Sequence, residues 1–116
     1  IEDTVSGFIN ALVNPNSIGE FINLGSSFEI SIGETVEYIA ELLNVNVDII
    51  TDSQRIRPKN SEVERLYAST EKAKKLLNWE PKYSGKIGFK KGLQKTIEWF
   101  SDNENLRFYN HGRYNK

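Results

Sequence analysis

The stretch Glu29-Ile30-Ser31-Ile32-Gly33-Glu34-Thr35-Val36-Glu37-Tyr38-Ile39-Ala40-Glu41-Leu42-Leu43-Asn44-Val45-Asn46-Val47-Asp48-Ile49-Ile50-Thr51 holds both kinds of regular structure that the chain is expected to form. Ser31 and Glu34 have the spacing of a capping box, in which each side chain satisfies an amide orphaned at a helix start. From there Ile32, Val36, Ile39, Ala40 and Leu43 fall along one side of a helix running from about Ile32 to Leu43. That face is apolar enough to be core, and no functional residue stands on it. Asn44-Val45-Asn46 turns the chain, and Val47-Asp48-Ile49-Ile50-Thr51 has the β-branched content of a strand. Helix followed by strand makes this a mixed α/β chain.

Toward the N-terminus, Val5, Phe8, Ile9, Leu12 and Val13 recur at spacings of three and four. They predict an amphipathic helix from Thr4 to Val13, capped by Asp3-Thr4 and ended by Asn14-Pro15-Asn16. Glu20-Phe21-Ile22-Asn23-Leu24 reads as a strand running into Gly25-Ser26-Ser27, which predicts a turn and falls short of a phosphate-cradling loop. Toward the C-terminus, Ser69-Thr70-Glu71 offers caps for a short helix carrying Ala73, Leu76 and Leu77. Its Lys72, Lys74 and Lys75 are expected on a solvated face and not against nucleic acid. Asn78-Trp79-Glu80-Pro81 stops that helix, with Trp79 expected as a buried packing residue. The last periodic segment is Ile87 to Phe100, where Phe89, Leu93, Ile97 and Phe100 share a side with help from Ile87 and Trp99. The tail, residues 103–116, has no assignable period. His111 within it is expected to be a surface residue of no special role, and its interleaved arginines and aromatics lack the basic surroundings of a single-strand binding surface.

Between these halves lies Arg55-Ile56-Arg57-Pro58-Lys59-Asn60-Ser61-Glu62-Val63-Glu64-Arg65-Leu66. Pro58 biases Arg57 toward extended backbone, so that its side chain projects from a loop. A forked donor on a stiffened loop suits a phosphate. Beyond it, Val63 alternates with Glu64 as a short extended segment allows, and a carboxylate there can accept from sugar hydroxyls. Arginine for phosphate and glutamate for hydroxyls describe a nucleotide-sugar site. The alternative is an exposed charged loop whose ions pair with each other.

With 116 residues the chain is one domain or part of one. Its 15 basic and 16 acidic residues leave a net charge of -1, which argues against nucleic acid or a membrane surface as partner. Having no cysteine, it has no disulfide, thiolate metal site or cysteine nucleophile; this fits a reducing compartment, and the cytoplasm is the expected location. A single histidine excludes a histidine-rich metal site. No apolar run approaches the roughly 18 residues that span a membrane. The sequence contains no methionine, and Ile1-Glu2-Asp3 reads as a cut through a longer chain.

Several pieces in order carry a family likeness: Glu2-Asp3-Thr4-Val5-Ser6-Gly7-Phe8, Ile22-Asn23-Leu24-Gly25, Glu29-Ile30-Ser31-Ile32-Gly33-Glu34, Arg57-Pro58 with Ser61-Glu62-Val63, Lys72 through Pro81, and Gly92 through Phe100. Over about residues 1–102 the chain resembles the C-terminal part of the nucleotide-sugar epimerases and dehydratases of the extended short-chain dehydrogenase family. Arg-Pro followed by Ser-Glu-Val is most similar to the NAD-dependent 4,6-dehydratases of UDP-sugars or GDP-mannose.

The resemblance implies a C-terminal substrate-binding lobe, mixed α/β with few short strands and about four helices, without its Rossmann domain. It implies that Arg57 contacts the diphosphate and that Glu62 accepts from the nucleoside's ribose or base. Arg55 and Glu64 match no family position. NAD would be the cofactor of the parent enzyme and not be bound by this chain, which has no G-x-x-G-x-x-G. It also has no Tyr-x-x-x-Lys pair: the residues four beyond Tyr38, Tyr67, Tyr83 and Tyr109 are Leu42, Glu71, Ile87 and Arg113. No catalytic residue or metal ligand is therefore expected here, and the chain is expected to be a nucleotide-sugar-binding portion, inactive alone, of a dehydratase or epimerase. The parent is expected to be a homodimer. Residues 1–25 are expected to pack on the missing Rossmann domain, and without it to self-associate, rearrange or show disorder. The competing expectation is a stand-alone, non-catalytic binding or interaction module with the same lobe fold.

Overall fold

The computed structural model describes residues 1–50 and 65–107. In chain order it has α1 (Glu2–Val13), a 3-10 turn (Pro15–Ser17), α2 (Ile32–Leu43), α3 (Glu71–Leu77), α4 (Gly85–Phe100) and α5 (Asn103–Leu106). Among the described residues no strand forms, so the mixed α/β expectation is met only in its helices. Residues 20–24 and 47–50 have strand-like composition, but strand amides and carbonyls need a neighbouring strand, and none is present among the described residues. Thr51 and the expected extended segment as far as Glu64 lie outside the described residues.

Helix α2 matches its expected bounds, but its expected core face is corrected: none of its residues is buried, Ile32 and Leu43 being 82% and 47% exposed and Val36, Ile39 and Ala40 half-buried. Ser31 Oγ accepts from the Glu34 amide at 3.1 Å, and Glu34 Oε2 accepts from the Ser31 amide at 3.0 Å. At the other end Asn44 takes a left-handed conformation (φ 54°) and returns its N–H to the last carbonyls of α2. Two expected caps are corrected. Helix α1 begins at Glu2, with Ile1 at the cap position, because Asp3 is used elsewhere: its carboxylate accepts from the backbone amides of Lys82 and Tyr83 at 2.8 and 2.9 Å. Thr70 precedes α3 without capping it, its hydroxyl being paired with Ser27 Oγ at 2.8 Å, and of the expected capping residues it is Ser69 whose Oγ accepts from the Glu71 amide, at 3.4 Å. Helix α4 starts at Gly85, two residues ahead of Ile87. The short α5, capped by Asp102 through the Glu104 amide, carries no apolar period by which it could have been read.

Ala73, Leu77 and Trp79 are buried, with Ala11, Ile22, Leu24 and Leu76 packed against them. Trp79 is only 4% exposed, as its place beside Pro81 predicts. Helix α1 reaches this core through its small and polar side. Gly7 lies so close to Leu24 that a Cβ would come within 2.6 Å of Cδ1, and Ser6, Asn10 and Ala11 are half-buried. The apolar stripe that predicts the helix, Val5, Phe8, Ile9, Leu12 and Val13, faces outward, with Leu12 86% exposed. A helix on a finished domain turns its apolar stripe inward, and α1 does the reverse. Ile18 and Phe21, the next large apolar side chains, are also exposed. A second cluster joins α2 to α4, with the Phe89 ring 6.1 Å from Phe28 and 6.4 Å from Tyr38.

Candidate functional site

Arg57 and Glu62, with Arg55 and Glu64 beside them, lie outside the described residues, as does His111. What the structure does describe is the support at the C-terminal end of that segment. Arg65 grips Glu29 with both arms of its guanidinium, Nε to Oε2 at 2.9 Å and Nη2 to Oε1 at 2.6 Å. The guanidinium holds the Glu29 carboxyl below the usual carboxylate range, first through these hydrogen bonds and then through its charge. Immediately before Phe28-Glu29, Gly25-Ser26-Ser27 bends the chain as expected, and its hydroxyls are engaged with the chain itself. Ser27, in a left-handed conformation (φ 48°), donates to the Ala68 carbonyl at 3.3 Å and accepts from the Thr70 amide at 3.3 Å. A Cβ on Gly25 would sit 2.8 Å from that of Ala68. The close approach this glycine permits is therefore to residue 68. Residues 65–70 are fastened along residues 25–29, immediately before the capped start of α2.

A second polar cluster ties α1 to α4. Glu2 accepts from Lys95 Nζ at 2.7 Å and from the Tyr83 hydroxyl at 2.9 Å. The Lys95 bond and then the Tyr83 bond lower the Glu2 carboxyl, and bonds with Glu2 and then Tyr83 raise the Lys95 ammonium. Beside them is an open groove of about 600 Å³ whose walls include Ile1, Phe89, Leu93, Trp99 and Phe100. Of its charged side chains, Glu2 and Lys95 are spent on each other and Asp3 on the backbone amides of Lys82 and Tyr83. Between α2 and α4, Lys90 pairs with Glu41 at 2.5 Å and lies 4.6 Å from the Tyr38 ring centre. The lysines of α3 are solvated as expected, Lys72 pairing with Glu20 and Lys74 with Glu80. Among the described residues no group of histidine, aspartate and glutamate side chains could hold a metal ion, and no helix is long and apolar enough to cross a membrane.

Glu29 carries no signal that sequence reading could have used. Its partner is 36 positions away, and only folding brings the two together.

No protein-family profile matches the chain, and no solved structure is significantly similar to it. Curated proteins do match. The chain is 32% identical over 108 residues to UDP-glucuronate 4-epimerase of Thermodesulfobacterium geofontis, an alignment covering 91% of this chain and 30% of that protein. It is 30% identical over 110 residues to dTDP-D-glucose 4,6-dehydratase of Homo sapiens and to that of Bos taurus, covering 87% of this chain and 28% of each relative. The chain thus spans less than a third of the length of the curated relatives it matches. Over about nine tenths of its length, it is homologous to part of the nucleotide-sugar epimerases and dehydratases.

Proposed function

We propose that this chain is the nucleotide-sugar-binding portion, C-terminal and inactive alone, of an NAD-dependent sugar-nucleotide 4-epimerase or 4,6-dehydratase. The observation that carries this reading is the alignment of about nine tenths of the chain with both kinds of enzyme. Arg57 takes the diphosphate through its fork of donors, and Glu62 accepts from the ribose or base. The relatives' names carry UDP and dTDP, both pyrimidine nucleotides, which favours a pyrimidine nucleoside diphosphate sugar over GDP-mannose. NAD, which takes the hydride from the sugar, belongs to polypeptide outside this chain, since the sequence has neither the glycine motif nor the Tyr-x-x-x-Lys pair. The outward stripe of α1 supports the same division of labour. An apolar face of this kind marks an interaction surface, and each Val, Leu, Ile or Phe brought from full exposure to burial contributes about 1.5–3 kcal/mol. The Rossmann domain that completes the enzyme is the element that covers it.

Calorimetric titration of UDP, dTDP and GDP into the full-length gene product tests the reading. UDP and dTDP should bind more tightly than GDP, and Arg57→Ala should weaken UDP by about 1.5–3 kcal/mol, the scale of a charge-assisted contact. Unchanged affinity in Arg57→Ala removes that residue from the site, and failure to bind any of the three diphosphates rejects the reading.

A further inference from the structure

We propose that the outward stripe of α1 is the surface through which two copies of this chain pair, antiparallel and about a twofold axis, with Val5 of each copy against Leu12 of the other. The inference goes beyond the nucleotide-sugar reading and does not depend on it, so failure of that reading leaves it standing. Where a longer gene product supplies a Rossmann domain, that domain takes this face in place of the second copy. Val5, Phe8, Ile9, Leu12 and Val13 are 49% to 86% exposed, and beyond the helix Ile18 and Phe21 are 81% and 94% exposed. Together these side chains present on the order of 1000 Å². The largest apolar patch of a typical monomer is about 300–600 Å², and each partner of a stable complex gives about 800 Å². The stripe cannot turn inward instead, because the opposite side of α1 is committed: Gly7 to Leu24, Ser6 to the Trp79 indole, and Asp3 to the Lys82 and Tyr83 amides.

Charge and spacing select the second copy and its register. From Thr4 to Val13, α1 has no ionisable side chain, so nothing charged opposes its own image across the axis. Val5, Phe8, Ile9 and Leu12 are symmetric about the midpoint between residues 8 and 9. A twofold axis at that midpoint makes the self-complementary contact of a closed dimer: 5 meets 12, 8 meets 9, and Thr4 meets Val13 at the ends. The antiparallel sense also opposes the two helix dipoles and keeps the acidic first turns, Glu2 and Asp3, at opposite ends. A parallel pair would bring those carboxylates together.

The chain has no cysteine, so introduced thiols report this contact alone. Val5→Cys and Leu12→Cys, both at exposed positions, are purified separately, mixed and oxidised. The mixture should form the disulfide between residues 5 and 12, and either variant alone should cross-link little. In the antiparallel register two residues 5, or two residues 12, lie about 10 Å apart along the axis, past the roughly 7 Å that the Cα atoms of a disulfide allow. Sedimentation of the unaltered chain should show a species of twice 13.3 kDa. Phe8→Glu, which sets a carboxylate at the axis in each copy, should weaken pairing about tenfold or more, with helix content and tryptophan fluorescence unmoved. The inference is overturned if the chain sediments at 13.3 kDa at every concentration, if like residues cross-link as readily as 5 with 12, or if Phe8→Glu pairs as the unaltered chain does.

Discussion

The indole N–H of Trp79 donates to Ser6 Oγ at 2.8 Å, joining residues 73 positions apart. Ser6 Oγ donates in turn to the Asp3 carbonyl at 2.9 Å. A hydroxyl on the inner side of α1 thus satisfies the polar atom of a tryptophan that is otherwise sunk among Ala73, Leu77 and their neighbours. This relay, and not an apolar stripe, seats α1 on the core.

Ser6→Ala removes the acceptor and leaves a buried indole N–H without a partner. The expected cost is about 1–3 kcal/mol, the penalty of an unsatisfied buried donor. Urea unfolding of the chain followed by tryptophan fluorescence measures it. A loss below about 0.5 kcal/mol, the scale of an ordinary surface change, would show that the bond is dispensable.

The outward stripe of α1 gives a prediction that depends on context. Phe8 and Leu12 are 65% and 86% exposed, so Phe8→Ser with Leu12→Ser should alter the stability of this chain by no more than about 0.5 kcal/mol. Sedimentation should also show less self-association. In the full-length gene product the same pair should cost on the order of 2–5 kcal/mol per residue, as truncation in a core does. Equal effects in the two proteins would mean that nothing covers the stripe.

Acid should weaken the start of α2. The Ser31 amide, and then its hydroxyl, hold the Glu34 carboxyl below the ordinary glutamate range. A group whose folded pKa is depressed contributes stability that is present above its unfolded pKa, about 4.3 for glutamate, and lost as pH falls through the folded value. NMR titration should give a Glu34 midpoint below about 4.3, with the Ser31 amide signal moving in step. In Glu34→Gln that movement should vanish. A midpoint at or above the unfolded value would contradict the capping box.

Legibility followed the range of the interactions involved. The bounds of helix α2 are legible because the Ser31–Glu34 box acts within a few positions, whereas the burial of its apolar face, which depends on distant partners, is not. The stripe on α1 announced a helix but not which side would be buried, since that depends on partners far along the chain: Leu24 against Gly7, Trp79 against Ser6, and the Lys82 and Tyr83 amides against Asp3. Composition predicts strands at 20–24 and 47–51, whereas a strand is completed by pairing that composition does not specify. The arginine-proline segment stands out by residue type, yet Arg57 and Glu62 lie outside the described residues. The Glu29–Arg65 clasp beside that segment became visible only through folding.

The most direct measurement is native mass spectrometry of the natural gene product, with UDP added. The expected result is a polypeptide roughly three times the 13.3 kDa of this chain, in keeping with the 30% share of the relative that it covers, retaining NAD and taking up UDP. A polypeptide of 13.3 kDa that carries neither ligand would contradict it.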